Sequence, residues 1–169
     1  MNLNKFKSTL TAIARPTLFN VQISGAPVQS ISADHMKFTC KAASLPASTF
    51  GNIEVPFYAR KVNYNGDRTY AEWTTTIIAD NSWTLYKQIF NWQVKMNHPS
   101  DNVASSTNMN SFKADGLVTM YDAAGSPTLQ FKLIGLYPME LQQLDIDWGN
   151  NDATADIMVT WRFDWSEML

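Results

Sequence analysis

The sequence is poor in the residues that metal sites and disulfides require. Its 169 residues contain one cysteine and two histidines. Cys40 has no second cysteine to pair with, so no internal disulfide can form, and its alternating surroundings favour a small buried hydrophobe. One cysteine and two distant histidines, His35 and His98, cannot build a typical zinc site.

Neither histidine lies in a recognisable catalytic motif. Nucleophilic catalysis needs a Ser, Cys or Thr with a base within hydrogen-bond reach, usually His, but His35 falls in a predicted turn and His98 in a predicted loop. Asp145 and Asp147 share one face of a predicted strand, where a solvated face is favoured over a cation site. The glycines are scattered singly, unlike a phosphate-binding loop. We therefore predict no enzymatic activity, no metal and no cofactor.

Charge is also scarce. Charged residues make up 17% of the chain, against roughly 25% in typical globular proteins. The formal net charge is −2, and no basic stripe supplies the Lys and Arg density that tight nucleic-acid binding needs. No apolar run approaches about 18 residues, and the N-terminus lacks a signal-peptide pattern. We expect a protein that is made in a reducing cytoplasm and is not exported by the standard route.

Apolar and aromatic residues are plentiful. Hydrophobic residues make up 45% of the chain and aromatic residues 12%, with six tryptophans. This is enough to pack the core of a single domain over residues 1–169. A surface that is poor in charge and rich in aromatic side chains is typical of protein interfaces. The composition therefore favours a subunit that assembles with copies of itself.

Period-two alternation predicts β-structure over most of the chain. An N-terminal arm or short helix is predicted over residues 1–14, loops over 25–34 and 97–110, and an irregular connection over 135–143. The predicted strands, with a hairpin turn at 122–126, are 19–24, 36–43, 73–78, 116–121, 129–134, 144–148 and 157–165.

One segment, residues 82–96, has a helical period. Trp83, Tyr86, Ile89, Phe90 and Val94 recur at three- and four-residue spacing, and residues 80–82 can cap the helix. A second apolar set, at positions 85, 92 and 96, lies on a neighbouring face. About eight strands with a single helix predict a mainly β protein: an antiparallel β-sandwich or barrel with one flanking α-helix.

Residues 45–73 are predicted to form a long β-excursion. Residues 53–57 alternate but contain Pro56, which indicates an edge strand or an extended arm. Asn65-Gly66 is the strongest two-residue hairpin signal. The polar cluster that follows, residues 66–69, either forms a local ion-paired turn or contacts a neighbouring subunit, and composition does not choose between these.

Several short motifs follow one another in a fixed order. They are Ala14-Arg15-Pro16-x-Leu18-Phe19-x-Val21, Phe38-x-Cys40-Lys41-Ala42-x-x-Leu45-Pro46-Ala47, Val55-Pro56, Arg60-Lys61, Gly66-Asp67-Arg68-Thr69-x-x-x-Trp73-Thr74, Phe90-Asn91-Trp92-Gln93, Gly135-Leu136-x-Pro138, Leu144-x-x-Asp147-Trp148 and Asp164-Trp165-x-Glu167. In this order, and over most of the chain, they resemble the tail tube proteins of contractile-tailed bacteriophages of the T4-like type. The sequence departs from the family mainly at residues 25–34 and 97–111.

The resemblance implies an assembly and its partners. Hexameric rings stack into a hollow tube inside a contractile sheath, and inner strands of six subunits join into a continuous barrel around the lumen. The implied partners are further copies of the chain, the sheath protein, and the baseplate and tail-terminator proteins. The tape-measure protein and double-stranded DNA occupy the lumen transiently, and the genome passes through it into the host. The expected location is the phage tail in the virion, after assembly in the host cytoplasm.

Contacts between subunits are expected on the excursion, through Arg60, Lys61, Asp67, Arg68 and Trp73; the alternative is a solvated hairpin. The helix over residues 82–96 either faces the sheath or only covers the core. Lumen-facing positions are expected to be neutral or acidic, because a lysine-rich lumen would bind the passing phosphates. Two other functions stay open: the tube of a related bacterial contractile injection device, pyocin-like or of a secretion system, and a monomeric β-barrel binding module.

Overall fold

A computed structural model describes residues 5, 8, 13–25, 27, 33–149, 151 and 153–169. Most of the predicted N-terminal arm, 1–14, and of the predicted loop, 25–34, lies outside these residues. The described part contains nine strands, two α-helices and a 3₁₀ helix. In chain order they are β1 Phe19–Ser24, α1 Ala33–Thr39, β2 Cys40–Ala43, β3 Ser48–Phe57, β4 Arg60–Tyr70, β5 Trp73–Ile78, α2 Thr84–Met96, the 3₁₀ helix Met109–Phe112, β6 Ala114–Tyr121, β7 Pro127–Leu141, β8 Asp156–Arg162 and β9 Trp165–Met168.

Seven strands form one antiparallel sheet in the order β1-β6-β7-β8-β5-β2, with β9 also paired to β7. The 15-residue strand β7 joins the two halves of this sheet. Its first part pairs with β6 and β9, and its last part pairs with β8. Gly135, between these parts, has a φ of +74°, which glycine adopts without steric cost. The strand can therefore change partners there without ending.

Three tryptophans mark the centre of the core. Trp73, Trp92 and Trp161 are fully buried, and the ring of Trp161 lies 6.3 Å from that of Trp73 and 5.9 Å from that of Trp92, centroid to centroid. The indole N–H of Trp73 donates to the Ser44 carbonyl at 2.6 Å, and that of Trp92 donates to the Phe112 carbonyl at 2.8 Å. The indole N–H of Trp161 donates to the Thr75 hydroxyl at 2.8 Å. Because a buried indole N–H needs such a partner, the three rings fix how α2 packs on the sheet.

The mainly antiparallel β-fold with a flanking helix is confirmed. The helix predicted over residues 82–96 is α2, and its buried face combines members of both apolar sets: Leu85 and Trp92 from the second set and Ile89 from the first are buried. Phe90 of the first set is exposed. Strand β1, strand β5 and the β6–β7 hairpin also match their predictions. The described residues contain one strand and one α-helix more than expected.

The prediction of a strand over residues 36–43 is wrong for its first half. Helix α1 continues to Thr39, whose hydroxyl donates to the His35 carbonyl at 2.7 Å, one helical turn back. Only residues 40–43 form a strand. Met36 is buried and Phe38 is exposed, so the apparent alternation does not define a buried face. Short apolar windows fit both periods, which is why the pattern misled.

Three C-terminal predictions are also wrong. Residues 135–143 are not an irregular connection, because β7 continues to Leu141. Residues 144–148 are a loop and not a strand, because they find no neighbouring strand to pair with in the described chain. The predicted strand 157–165 is two strands, β8 and β9. They are separated where the Asp164 N–H donates to the Ile134 carbonyl at 2.9 Å and redirects the chain.

Candidate assembly surface

Strands β3 and β4 form a two-stranded sheet of their own, separate from the main sheet. Tyr58 and Ala59 join them, with φ values of 41° and 60°. Positive φ at both central residues is the geometry of a type I′ turn, whose twist suits a two-residue hairpin. The hairpin therefore reverses at its aromatic tip.

The predicted turn at Asn65-Gly66 is wrong, because both residues lie inside β4. Gly66 instead faces Gly51 at the point where the register of the hairpin shifts. A Cβ added to Gly66 would lie 3.1 Å from the carbonyl carbon of Gly51. The glycine thus serves a close approach of two backbones and not a chain reversal.

One face of the hairpin is apolar. Ile53 pairs with Tyr64, Val55 pairs with Val62, and Phe57 extends the same row towards the tip. These five side chains are 43–63% exposed. They form a continuous apolar surface, which we call the apolar face of the hairpin, and no other strand of the described chain covers it.

The opposite face of the hairpin is polar and internally bonded. The Lys61 ammonium lies 2.6 Å from the Glu54 carboxylate, and the Asn52 side-chain amide donates to the Asn63 side-chain oxygen at 3.3 Å. These cross-strand contacts satisfy polar groups within the hairpin. The hairpin is therefore amphipathic, with its apolar face uncovered.

The base of the hairpin is tied to the core through aromatic contacts. The Arg68 guanidinium lies 4.7 Å from the centroid of the Phe50 ring and 5.9 Å from that of Tyr70. The Tyr70 ring in turn lies 5.7 Å from that of the buried Phe163. Cation–π contact of this kind holds Arg68 against the rings and fixes the direction in which the hairpin leaves the domain.

The structure places four of the five predicted contact residues on the hairpin. Arg60 lies beside the tip, Lys61 pairs with Glu54 on the polar face, and Asp67 and Arg68 lie near the base. Trp73 is fully buried, so its indole supports the core and offers no surface to a neighbour. The part that the other four play between subunits stays a prediction. Sequence reasoning missed the apolar face itself, although the alternation of residues 53, 55 and 57 was its signal.

A second exposed apolar feature lies in the loop between β7 and β8. Trp148 is fully exposed and Ile146 is 88% exposed. The Asp147 carboxylate accepts the Gly149 N–H at 2.9 Å and stabilises the turn that presents Trp148. We call residues 144–149 the Trp148 loop. Asp145 and Asp147 flank Ile146 there, so the loop combines apolar and acidic side chains.

Three titratable groups, Cys40, Asp80 and Asp156, have pKa values that are shifted away from neutral pH. Burial raises the pKa of the Cys40 thiol to about 11, which keeps it protonated. Hydrogen bonds from Thr84 lower the pKa of Asp80, and the hydrogen bond from Lys41 lowers that of Asp156. Each shift moves the pKa further from neutral pH, whereas a general acid or base has a pKa close to the pH at which it works. The described residues contain no cluster of three or more His, Cys, Asp or Glu side chains able to hold a metal.

The fold and this surface define a class: a mainly β structural protein with an uncovered amphipathic hairpin. No helix in the described chain is long and apolar enough to cross a membrane. The chain belongs to the phage tail tube protein family, whose profile matches residues 4–167. The resemblance found in the motifs is thereby confirmed, and the chain is a phage tail tube protein and a virion component.

Individual relatives agree with this assignment. The chain is 31% identical over 155 residues to tail tube protein gp19 of Enterobacteria phage T4, covering 91% of each chain. It is 26% identical over 167 residues to a tail tube protein of Serratia phage KSP90, covering 95% of this chain and 93% of that one. These relatives are phage proteins, so the phage tube is favoured over the bacterial device.

Solved structures share the fold at lower identity. A chain of the sheath–tube complex of an extracellular contractile injection system, PVC, matches with a TM-score of 0.68 and 14% identity, over 100% of this chain and 98% of that one. A chain of the PVC sheath/tube terminator matches with a TM-score of 0.69 and 15% identity, over 95% and 99%. A chain of the anti-feeding prophage baseplate matches with a TM-score of 0.66 and 15% identity, over 94% and 95%.

Proposed function

We propose that six copies of this chain close into a ring, that rings stack into the tail tube, and that the hairpin within residues 45–73 is a main contact between copies. The observation that carries this proposal is the uncovered apolar face of the hairpin. An isolated two-stranded hairpin is at best marginally stable in water, and contiguous exposed apolar surface marks an interaction site. A neighbouring copy that packs on this face supplies the layer that the chain itself lacks.

The charged residues of the hairpin border this contact. Arg60 lies next to the tip, and the pair Lys61–Glu54 lies on the polar face. Asp67 and Arg68 lie near the base. Polar groups at the rim of an interface set register and orientation more than affinity. These residues therefore orient the hairpin against its neighbour, while the apolar face supplies most of the binding free energy.

Further partners are proposed from the relatives. Structures similar to this chain come from a sheath–tube complex, a sheath/tube terminator and a baseplate that was 6-fold symmetrised. By analogy this chain meets a sheath protein, a tail-terminator protein and a baseplate, and its rings are six-fold. The side of α2 that points away from the core, with Lys87, Phe90 and Lys95 exposed, is available to the sheath.

The lumen is proposed to lie on the face of β1, β6, β7 and β9 opposite the core. One row across these strands is Gln22, Leu117, Lys132 and Glu167. The ammonium of Lys132 lies 3.1 Å from the carboxylate of Asp115 on the same face. The one lysine of this group is thus paired, and the remaining side chains are neutral or acidic. Such a surface lets double-stranded DNA and a tape-measure protein pass without strong phosphate binding.

A non-enzymatic role is part of the proposal. It is supported by the structural role named for the relatives and by the pKa shifts of Cys40, Asp80 and Asp156, each of which points away from neutral pH. The chemistry of this protein then resides in its surfaces, where copies meet.

Electron microscopy tests the proposal. The purified chain is concentrated and imaged by negative staining, with sedimentation velocity run in parallel. We expect rings about six subunits around and tubes built from them. A folded chain that stays monomeric at every concentration would overturn the proposal and favour the binding module.

A further inference from the structure

We infer that the tip of the hairpin, with Tyr58 and Arg60, docks on the Trp148 loop of a second copy of this chain. The inference rests on the proposed function, since it names the surface that receives one end of the hairpin. Four observations support it, namely exposure, charge, local geometry and the distribution of the two patches on one chain.

Exposure singles out the same two segments. Among the large hydrophobic side chains of the described residues, the three most exposed are Trp148 at 100%, Tyr58 at 89% and Ile146 at 88%. Trp and Tyr side chains are the usual anchors of protein interfaces once a partner desolvates them, and Ile146 adds apolar surface beside Trp148. Two of the three lie in the Trp148 loop, and the third lies at the tip of the hairpin.

The two segments carry opposite charge. Arg60 makes no ion pair within the described part of the chain, whereas neighbouring Lys61 is neutralised by Glu54. The Trp148 loop carries Asp145 and Asp147, and the sequence from 133 to 161 contains no Lys or Arg at all. The unpaired guanidinium of the tip therefore matches the unneutralised carboxylates of the loop. A guanidinium can also stack on the face of an exposed indole such as that of Trp148.

The local geometry presents both segments in fixed form. Tyr58 holds a positive φ, although glycine or asparagine would make this turn more easily. A non-glycine residue kept in this region indicates that its side chain is needed there. The Phe57 ring packs edge-on against the Tyr58 ring, with centroids 4.8 Å apart. In the loop, the Asp147 hydrogen bond to Gly149 holds the turn at Trp148.

The partner that binds the Trp148 loop is a second copy of this chain, because the chain carries both the basic hairpin tip and the acidic loop. A contact between two unlike patches is heterologous, and repeating it around a ring or along a filament uses every patch once. A contact of each patch with itself would bring like charges together. The pattern of charge therefore favours tip against loop, between successive copies.

Charge reversal with rescue tests this pairing. Arg60→Asp and Asp145→Arg are each expected to reduce sedimentable assembly about tenfold or more at fixed concentration, because each brings like charges together. The double variant Arg60→Asp/Asp145→Arg is expected to recover the wild-type amount. Arg15→Asp and Asp101→Arg reverse charge at other exposed positions and serve as matched controls that are expected to assemble normally.

Cysteine pairing tests the same contact by geometry. In a Cys40→Ala background, Tyr58→Cys and Ile146→Cys are combined and the assemblies are oxidised. A heterologous contact links each tip to the next loop, so we expect a ladder of dimers, trimers and longer oligomers on a non-reducing gel. Each single-cysteine variant is expected to give no ladder.

The outcomes separate the inference from the proposed function. If wild-type protein forms no rings or tubes, both fail. If it forms them but the double reversal assembles no better than the single reversals, or if single reversals assemble normally, the tip–loop contact is refuted and the tube stands. Tubes that yield no cysteine ladder refute the contact in the same way.

Discussion

Val55 offers a direct test of what the apolar face contributes. It lies in the middle of that face, opposite Val62, and is about half exposed. Full burial of one such side chain is worth about 1.5–3 kcal/mol, so covering the exposed half of all five side chains contributes about 4–7 kcal/mol per hairpin. Val55→Asp would remove part of this and bury a carboxylate without a partner, which costs several kcal/mol more. We expect it to prevent assembly.

The same substitution should scarcely affect the isolated chain. Residue 55 is solvated before assembly, and surface substitutions usually change the free energy of unfolding by about 0.5 kcal/mol or less. Asn65→Asp is the matched control, because residue 65 lies exposed on the polar face and pairs with the uncharged Asn52. It introduces the same carboxylate on the same hairpin, and we expect it to assemble as wild type does.

Three measurements decide the outcome: the pelleted fraction after ultracentrifugation, negative-stain images, and urea unfolding followed by circular dichroism. Tubes formed by Val55→Asp at the wild-type concentration would refute the role of the apolar face. Loss of more than about 2 kcal/mol of unfolding free energy in the isolated chain would place Val55 among core substitutions and equally contradict the reasoning.

Two further predictions concern the stability of the domain. Gly135→Ala should lower the free energy of unfolding in urea by about 2–4 kcal/mol, because its φ is +74° and the new Cβ would lie 2.7 Å from Cγ of Asp164. Gly125→Ala is the control: its φ is +84° but the space around it is open, so it should cost only about 1 kcal/mol. Equal losses for the two variants would contradict the steric argument. The lowered pKa of Asp156 contributes stability above its ordinary value of 3.8 that is lost as the pH falls through its folded-state pKa. Lys41→Met should therefore shrink the loss of stability on acidification, by at most about 1 kcal/mol for so solvated a pair, and an unchanged pH profile would contradict this.

Sequence patterns predicted the elements that are long and locally determined. Residues 82–96 have a helical period over more than three turns, and 73–78 is a β-branched run that the core needs on one face. Which face of the helix is buried was not predictable in this way, because it depends on the contacts of Trp92 with Trp161 and Phe112, which are distant in sequence. Apolar residues on both sides of the helix left two faces available.

The failures share one cause, since each depends on a partner distant in sequence. Asn65-Gly66 has the composition of a turn, but the pairing of Ile53 with Tyr64 fixes the register and moves the reversal to Tyr58. Residues 144–148 alternate like a strand, yet in the described chain the main sheet has no place for them. Local pattern cannot report such pairing.

The position of the candidate site in the sequence was predictable, but the apolar face that distinguishes it was not. The expected excursion, 45–73, contains both strands of the hairpin, Ser48–Phe57 and Arg60–Tyr70. The polar residues proposed for contact stood out because their cluster was unusual in a charge-poor chain. The apolar face depends on knowing that the hairpin stands apart from the core, and that is a tertiary fact.

The hairpin and the tryptophan core contribute to different properties of the protein. The tryptophan core does not use the apolar face of the hairpin, since Trp73, Trp92 and Trp161 pack together and donate their hydrogen bonds to residues outside it. The hairpin is held extended by its polar face and its base, and its apolar face contributes stability only when a neighbour covers it. Stability of the subunit and affinity between subunits are therefore set by different residues. A change at Gly135 should lower the stability of the subunit without altering the contact surface. A change at Val55 should abolish the affinity between subunits and leave the stability of the subunit intact.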